Sequence, residues 1–168
     1  MKTIAHLAAA LAATLPAVAL SQQYPTKAVR IVVGFAPGGG TDIVARIIGA
    51  KLTELWGQSF IVDNRAGAAG TIGADITAKS PPDGYNIMLG HVNSHAISPN
   101  LYKKLPYDSM RDFAMVAYVG YVPNVLVIHP SIPAKNVGEL AAIAKAKPKT
   151  LTYASSGVGS TQHLAGEL

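Results

Sequence analysis

Two stretches of the chain place glycines and hydroxyls directly ahead of a helix. They are Pro37-Gly38-Gly39-Gly40-Thr41-Asp42 and Ser155-Ser156-Gly157-Val158-Gly159-Ser160-Thr161. The first turn of a helix carries backbone N–H groups with no intrahelical acceptor, together with the positive end of the helix dipole. Both favour an anion. Glycine also lets a ligand approach the backbone closely. Each loop can therefore hold a carboxylate, and in the second the serine hydroxyls add donors. The competing explanation is that the glycines only permit a tight strand-to-helix turn. Two such loops in one chain favour a site.

Other chemistries find little support. A phosphate-binding GxxxxGK[ST] loop needs a Gly-Lys pair, and the chain has none. A dinucleotide-type GxGxxG fails at Ile43 after Gly38 and Gly40, and at Gln162 after Gly157 and Gly159. Asp42 would also repel a phosphate. His91 and His95 stand four apart, but Val92 occupies the glutamate position of HExxH and no third ligand is evident. No metal or cofactor is expected. His129, beside Pro130, reads as a surface residue. Ser155, Ser156 and Ser160 each lack the flanking glycines of a GxSxG nucleophile turn, and no carboxylate pair is clustered for acid–base work. With no cysteine, disulfides, thiolate metal sites and cysteine nucleophiles are excluded. The residues describe a binder, not a catalyst.

The elements that must position these loops alternate. Apolar runs predict strands at 28–34, 59–62, 85–90, 113–121, 124–128 and 151–154. Helices are predicted at 41–56, 70–79 and 137–146, with another starting near Thr161. On the first helix Val44, Ile47, Ile48, Leu52 and Leu55 form one apolar stripe, with Thr41 or Asp42 as cap and Gly57 as terminator. On the helix at 137–146, Leu140, Ile143 and Ala144 face inward. Residues 91–112 read as irregular, because Pro99 and Pro106 allow only short helical turns. The βαβαβ order predicts an α/β fold with an open, largely parallel sheet, and such sheets bind ligands at the carboxyl ends of their strands.

Residues 1–21 have the anatomy of a secretory signal peptide: a basic head at Lys2, an apolar run over 4–15, and Ala19-Leu20-Ser21 before a cut at Gln22. The apolar run is too short to span about 30 Å of hydrocarbon. A soluble, exported protein in the periplasm is expected. Without Lys2 the chain carries 13 basic and 9 acidic residues. The basic residues are scattered, so nucleic acid is not an expected partner, while a mild positive field suits small anions.

The motifs Phe35-Ala36-Pro37-Gly38-Gly39-Gly40-Thr41-Asp42, Val62-Asp63-Asn64-Arg65-Ala66-Gly67, Pro82-Asp83-Gly84-Tyr85, Leu105-Pro106-Tyr107-Asp108 and Tyr153-Ala154-Ser155-Ser156-Gly157-Val158-Gly159-Ser160 occur in this order. Together they strongly resemble the Bug-type periplasmic solute-binding proteins, the receptors of tripartite tricarboxylate transporters. The resemblance covers essentially all of the chain after residue 21. It implies a two-lobed, type II periplasmic-binding-protein fold that closes on its ligand by a hinge, each lobe a mostly parallel sheet flanked by helices. Residues 22–122 would form the N-terminal part of lobe 1 and residues 123–168 the start of lobe 2, which is incomplete in the manner of a fragment or truncated product.

By the same resemblance, a small carboxylate, dicarboxylate or amino acid is pinched between Phe35, Gly38, Gly39, Gly40, Thr41 and Asp42 on one side and Ser155, Gly157, Ser160, Thr161 and His163 on the other. The implied partners are inner-membrane transporter subunits, and the receptor would be a monomer. Ala66, where proline is common in the family, is a small departure. Two other roles fit the same residues: a ligand-sensing partner of a membrane sensor, and an enzyme acting on a carboxylate.

Overall fold

A computed structural model describes residues 23–168, so the expected signal peptide lies outside the described residues. Three strands, β1 (Val29–Val33), β2 (Phe60–Asn64) and β3 (Asn86–Leu89), form a parallel sheet in the order β2-β1-β3. In register, Val29 lies opposite Phe60, and Val33 lies opposite both Asn64 and Leu89. The central strand has neighbours on both edges and is covered on both faces. That is why its sequence VRIVV is almost wholly apolar, and Val29, Val32 and Val33 are fully buried.

Parallel neighbours require crossover connections, which helices supply. The helix α1 (Gly40–Trp56) joins β1 to β2, and α2 (Thr71–Ala78) lies between β2 and β3. Only part of the expected apolar stripe of α1 packs: Leu52 lies against the core and Val44 and Ile48 are half-buried. Asp42, Ala45 and Gly49 are buried, while Ile47 and Leu55 are 65% and 64% exposed. Size sets the closest approach here. A Cβ at Gly49 would stand 3.2 Å from Ile31 Cδ1 and 3.3 Å from the Phe60 carbonyl oxygen, so small residues let the helix approach the sheet. Gly57 ends α1 in the left-handed conformation, its N–H bonded to the Thr53 carbonyl, as expected.

After β3, a π-helical turn (Asn93–Ile97) runs into the short helix α3 (Ser98–Leu101). Further on are α4 (Val137–Ala146) and α5 (Thr161–Glu167), at the expected positions. Leu140 and Ile143 of α4 are only half-buried and Ala144 is exposed. The strands expected at 113–121, 124–128 and 151–154 do not form. Met115, Val116, Tyr118 and Tyr121 are each more than 80% exposed. Strand propensity is a preference for a pleated, half-buried surface, and among the described residues no strand lies beside these segments to supply one.

Candidate ligand-binding site

All three strands run toward the same edge of the sheet, and the candidate residues gather beyond their carboxyl ends. β1 leads to Phe35 and the first glycine loop, β2 ends at Asn64, and β3 leads to His91 and Asn93.

In the first loop Phe35 is half-buried, its ring 4.9 Å from that of His91, while residues 36–40 are exposed. Gly38 adopts φ +84°, which glycine tolerates. Gly39, not Thr41 or Asp42, is the N-cap of α1, and no side chain caps the helix. Its first N–H groups, at Gly40, Thr41 and Asp42, have no acceptor within the helix.

The Asp42 side chain turns beneath the loop instead. Its Oδ2 accepts from the Gly38 N–H at 2.9 Å and from Arg46 Nε at 2.9 Å, and its Oδ1 accepts from Asn64 Nδ2 at 3.0 Å. Asn64 Nδ2 also donates to the Phe35 carbonyl at 3.0 Å, and Asn64 Oδ1 accepts from Arg46 Nη2 at 3.2 Å. The loop is thus pinned at Phe35 and at Gly38 by one polar cluster.

The Arg46 hydrogen bond and the Gly38 N–H hold the Asp42 carboxyl down at about 2 against the opposing effect of burial, with Asn64 adding to the lowering. Its folded value lies below the unfolded 3.8, so the stability it contributes is present above 3.8 and is lost as pH falls toward 2. Asp42→Asn is expected to flatten the loss of thermal stability across that window, followed by circular dichroism. A loss as steep as in the wild type would show that the cluster carries no such linkage.

The second loop is packed on the segment that follows β3. Gly157 and Gly159 have φ of +115° and +82°. Ser160 is fully buried and caps α5, its Oγ accepting from the His163 N–H at 3.1 Å. The Thr161 N–H is donated to Asn93 Oδ1 at 3.2 Å, and Tyr102 Oη donates to the Val158 carbonyl at 3.1 Å. Ser155 and Gly157 are exposed, with the Gly157 N–H bonded to Ser155 Oγ at 3.3 Å. The His163 imidazole is partly exposed, its Nδ1 buried without a hydrogen-bond partner. The Ser160 oxygen and the Thr161 N–H are therefore engaged within the protein, while the N–H groups at the exposed start of α1 have no acceptor within the helix.

Residues 122–124 bridge the two loops. The Val122 methyls lie 3.7 Å from where a Gly40 Cβ would be, and Asn124 Oδ1 is 3.4 Å from Thr161 Oγ1. On the other side Phe35 abuts Gly70, which also neighbours Ser94, next to Asn93. Asn64, Asn93 and Asn124 are the site residues that sequence reasoning did not single out. The only available signal was the position of Asn64 and Asn93 just at or after the ends of strands. His91 and His95 are packing residues: burial lowers both from the ordinary histidine value. His91 Nδ1 accepts from the Asn93 N–H, and the His95 ring lies 4.8 Å from that of Phe113.

Comparison with known proteins identifies the family of the chain. The family described as "Tripartite tricarboxylate transporter family receptor" matches residues 44–168. The chain is 40% identical to Protein BugT of Bordetella pertussis over 146 residues, 86% of this chain and 45% of BugT. Among solved structures it is similar to R. palustris Rpa4515 with adipate (TM-score 0.81, 42% identity, 86% of this chain and 48% of that one). It is also similar to MatC (Rpa3494) from Rhodopseudomonas palustris with bound malate (TM-score 0.76, 36% identity, 82% of this chain and 47% of that one). The chain spans about half the length of the curated relatives it matches. A matched region that takes in most of the chain, on a sheet of the same architecture, places it among periplasmic binding proteins: the chain belongs to the tripartite tricarboxylate transporter receptor family.

Proposed function

We propose that the protein is a periplasmic receptor that captures a small carboxylated solute between its two glycine loops, for delivery to the inner-membrane subunits of a tripartite tricarboxylate-type transporter. Residues 22–122 supply one lobe and the chain from 123 onward begins the other. The carrying observation is the contrast between helix starts. Asn136 caps α4 and Ser160 caps α5, and the uncapped starts of α2 and α3 lie at buried Gly70 and half-buried Ile97. The 17-residue α1, by contrast, opens uncapped at exposed glycines. An anion supplies what that end lacks. The bound adipate of Rpa4515 and malate of MatC are both dicarboxylates, which favours a dicarboxylate here.

Binding without turnover is the better reading of the same geometry. Ser94 Oγ lies 2.9 Å from His95 Nδ1, but Ser94 is fully buried and out of reach of a substrate. Ser131 meets His129 within a local turn.

A thermal-shift titration of the full-length gene product with adipate, malate, amino acids and inorganic phosphate tests the proposal. A ligand that binds only the native state adds roughly 2.7 kcal/mol at a hundredfold excess over its Kd. The melting temperature is expected to rise with a dicarboxylate or amino acid and to stay unchanged with phosphate. A rise with phosphate alone, or with none of them, would refute it.

A further inference from the structure

The carboxylate of Asp42 poses an electrostatic problem for an anion site. It lies in the first turn of α1, directly under the loop whose N–H groups are open, and its oxygen is 2.9 Å from the Gly38 nitrogen. Its side chain is only 3% exposed, so water screens it poorly. A second negative charge brought to the loop would meet that field at short range, where a unit charge matters most. Yet Asp42 is needed, because it and Asn64 hold the loop's backbone. The only cation in contact with Asp42 among the described residues is Arg46, one turn along the same helix, at 2.9 Å and also bonded to Asn64.

We propose that Arg46 is a positioning and charge-masking residue: by neutralising Asp42 beneath the first glycine loop, it makes that loop able to accept a carboxylate. The inference rests on the reading of the loop as a carboxylate site. Among the described residues Arg46 makes its side-chain hydrogen bonds to Asp42 and Asn64 and none to the glycines. Its side chain is half exposed and directed at Asp42 and Asn64, so its influence on the ligand passes through Asp42. The depressed value of the Asp42 carboxyl agrees with this, since Arg46 is its largest cause.

The experiment is a charge cycle read by calorimetry with adipate on the full-length gene product. Arg46→Gln leaves Asp42 charged and unmasked, and is expected to raise the Kd by about tenfold or more. Arg46→Lys keeps the charge and is expected to retain most of the affinity. The double variant Asp42→Asn with Arg46→Gln removes both charges, keeps an acceptor for the Gly38 N–H, and is expected to recover most of the loss. A purely structural role for Arg46 would give no such recovery. An Arg46→Gln variant with wild-type affinity overturns the proposal. So does a double variant as weak as Arg46→Gln, which would mean that Arg46 either holds the structure only or acts on the ligand directly. A wild-type protein that binds no carboxylate at all overturns the underlying reading instead, and that outcome is distinct from the other two.

Discussion

Gly34→Ala is expected to lower stability by roughly 2–3 kcal/mol, the scale of overpacking a well-filled interior. For a chain of this size that is a fall in melting temperature of about 5–10 °C. A Cβ at Gly34 would lie 2.8 Å from Gly70 Cα and 2.9 Å from the Gly70 carbonyl oxygen. Both are backbone atoms that cannot rotate away. From the opposite side a Cβ at Gly73 would lie 2.9 Å from Gly34 Cα, so the end of β1 and the start of α2 meet backbone to backbone.

The turn that allows this contact is itself costly. Gly67, Ala68, Ala69 and Gly70 all have positive φ, and for the two alanines that conformation costs of order 1–3 kcal/mol each. The Gly70 N–H bonded to the Gly67 carbonyl and the Thr71 hydroxyl bonded to the Ala68 carbonyl hold it in place. A side chain at Gly34 would push directly on this turn, and through Gly70 on the ring of Phe35. Urea unfolding of Gly34→Ala beside the wild type measures the effect. A wild-type midpoint would mean that α2 slides away from β1 freely.

The parts of the fold that could be read from the sequence are those whose signals are local. The apolar run of β1 falls within one residue of Val29–Val33, Gly57 stops α1 as its chemistry predicts, and α5 starts at Thr161 as expected, although the capping role of Ser160 was not foreseen. The packed face of α1 was legible only in part: Leu52 does pack on the core, but the helix's closest approach to the sheet is set by the smallness of Ala45 and Gly49, and Ile47 and Leu55 stay exposed. Residues 113–128 were misread for a related reason, since a strand is a property of two segments and a partner cannot be seen in one. The glycine loops were legible as candidates, but not their support. Asn93 reaches the Thr161 N–H across 68 positions of sequence and Asn64 reaches Phe35 across 29, and no pattern within a window encodes such a pairing.

The central claim is that the backbone of the first loop receives the carboxylate, and position 39 tests it most directly. Gly39 has φ −75°, so a side chain there needs no forbidden backbone conformation. Its Cβ would meet only the Ala36 carbonyl oxygen, at an ordinary 3.6 Å. A valine at this position therefore keeps the fold, but its branched side chain stands over the open N–H groups at the start of α1. Calorimetric titration of full-length Gly39→Val with adipate and malate, alongside a melting curve, is the decisive measurement. The account predicts a cooperative melt lowered by only a few degrees, since valine is a poorer N-cap than glycine by about 1 kcal/mol. Affinity is expected to weaken about a hundredfold, equivalent to about 2.7 kcal/mol. Wild-type affinity in a folded Gly39→Val protein would contradict it and remove this loop from the site.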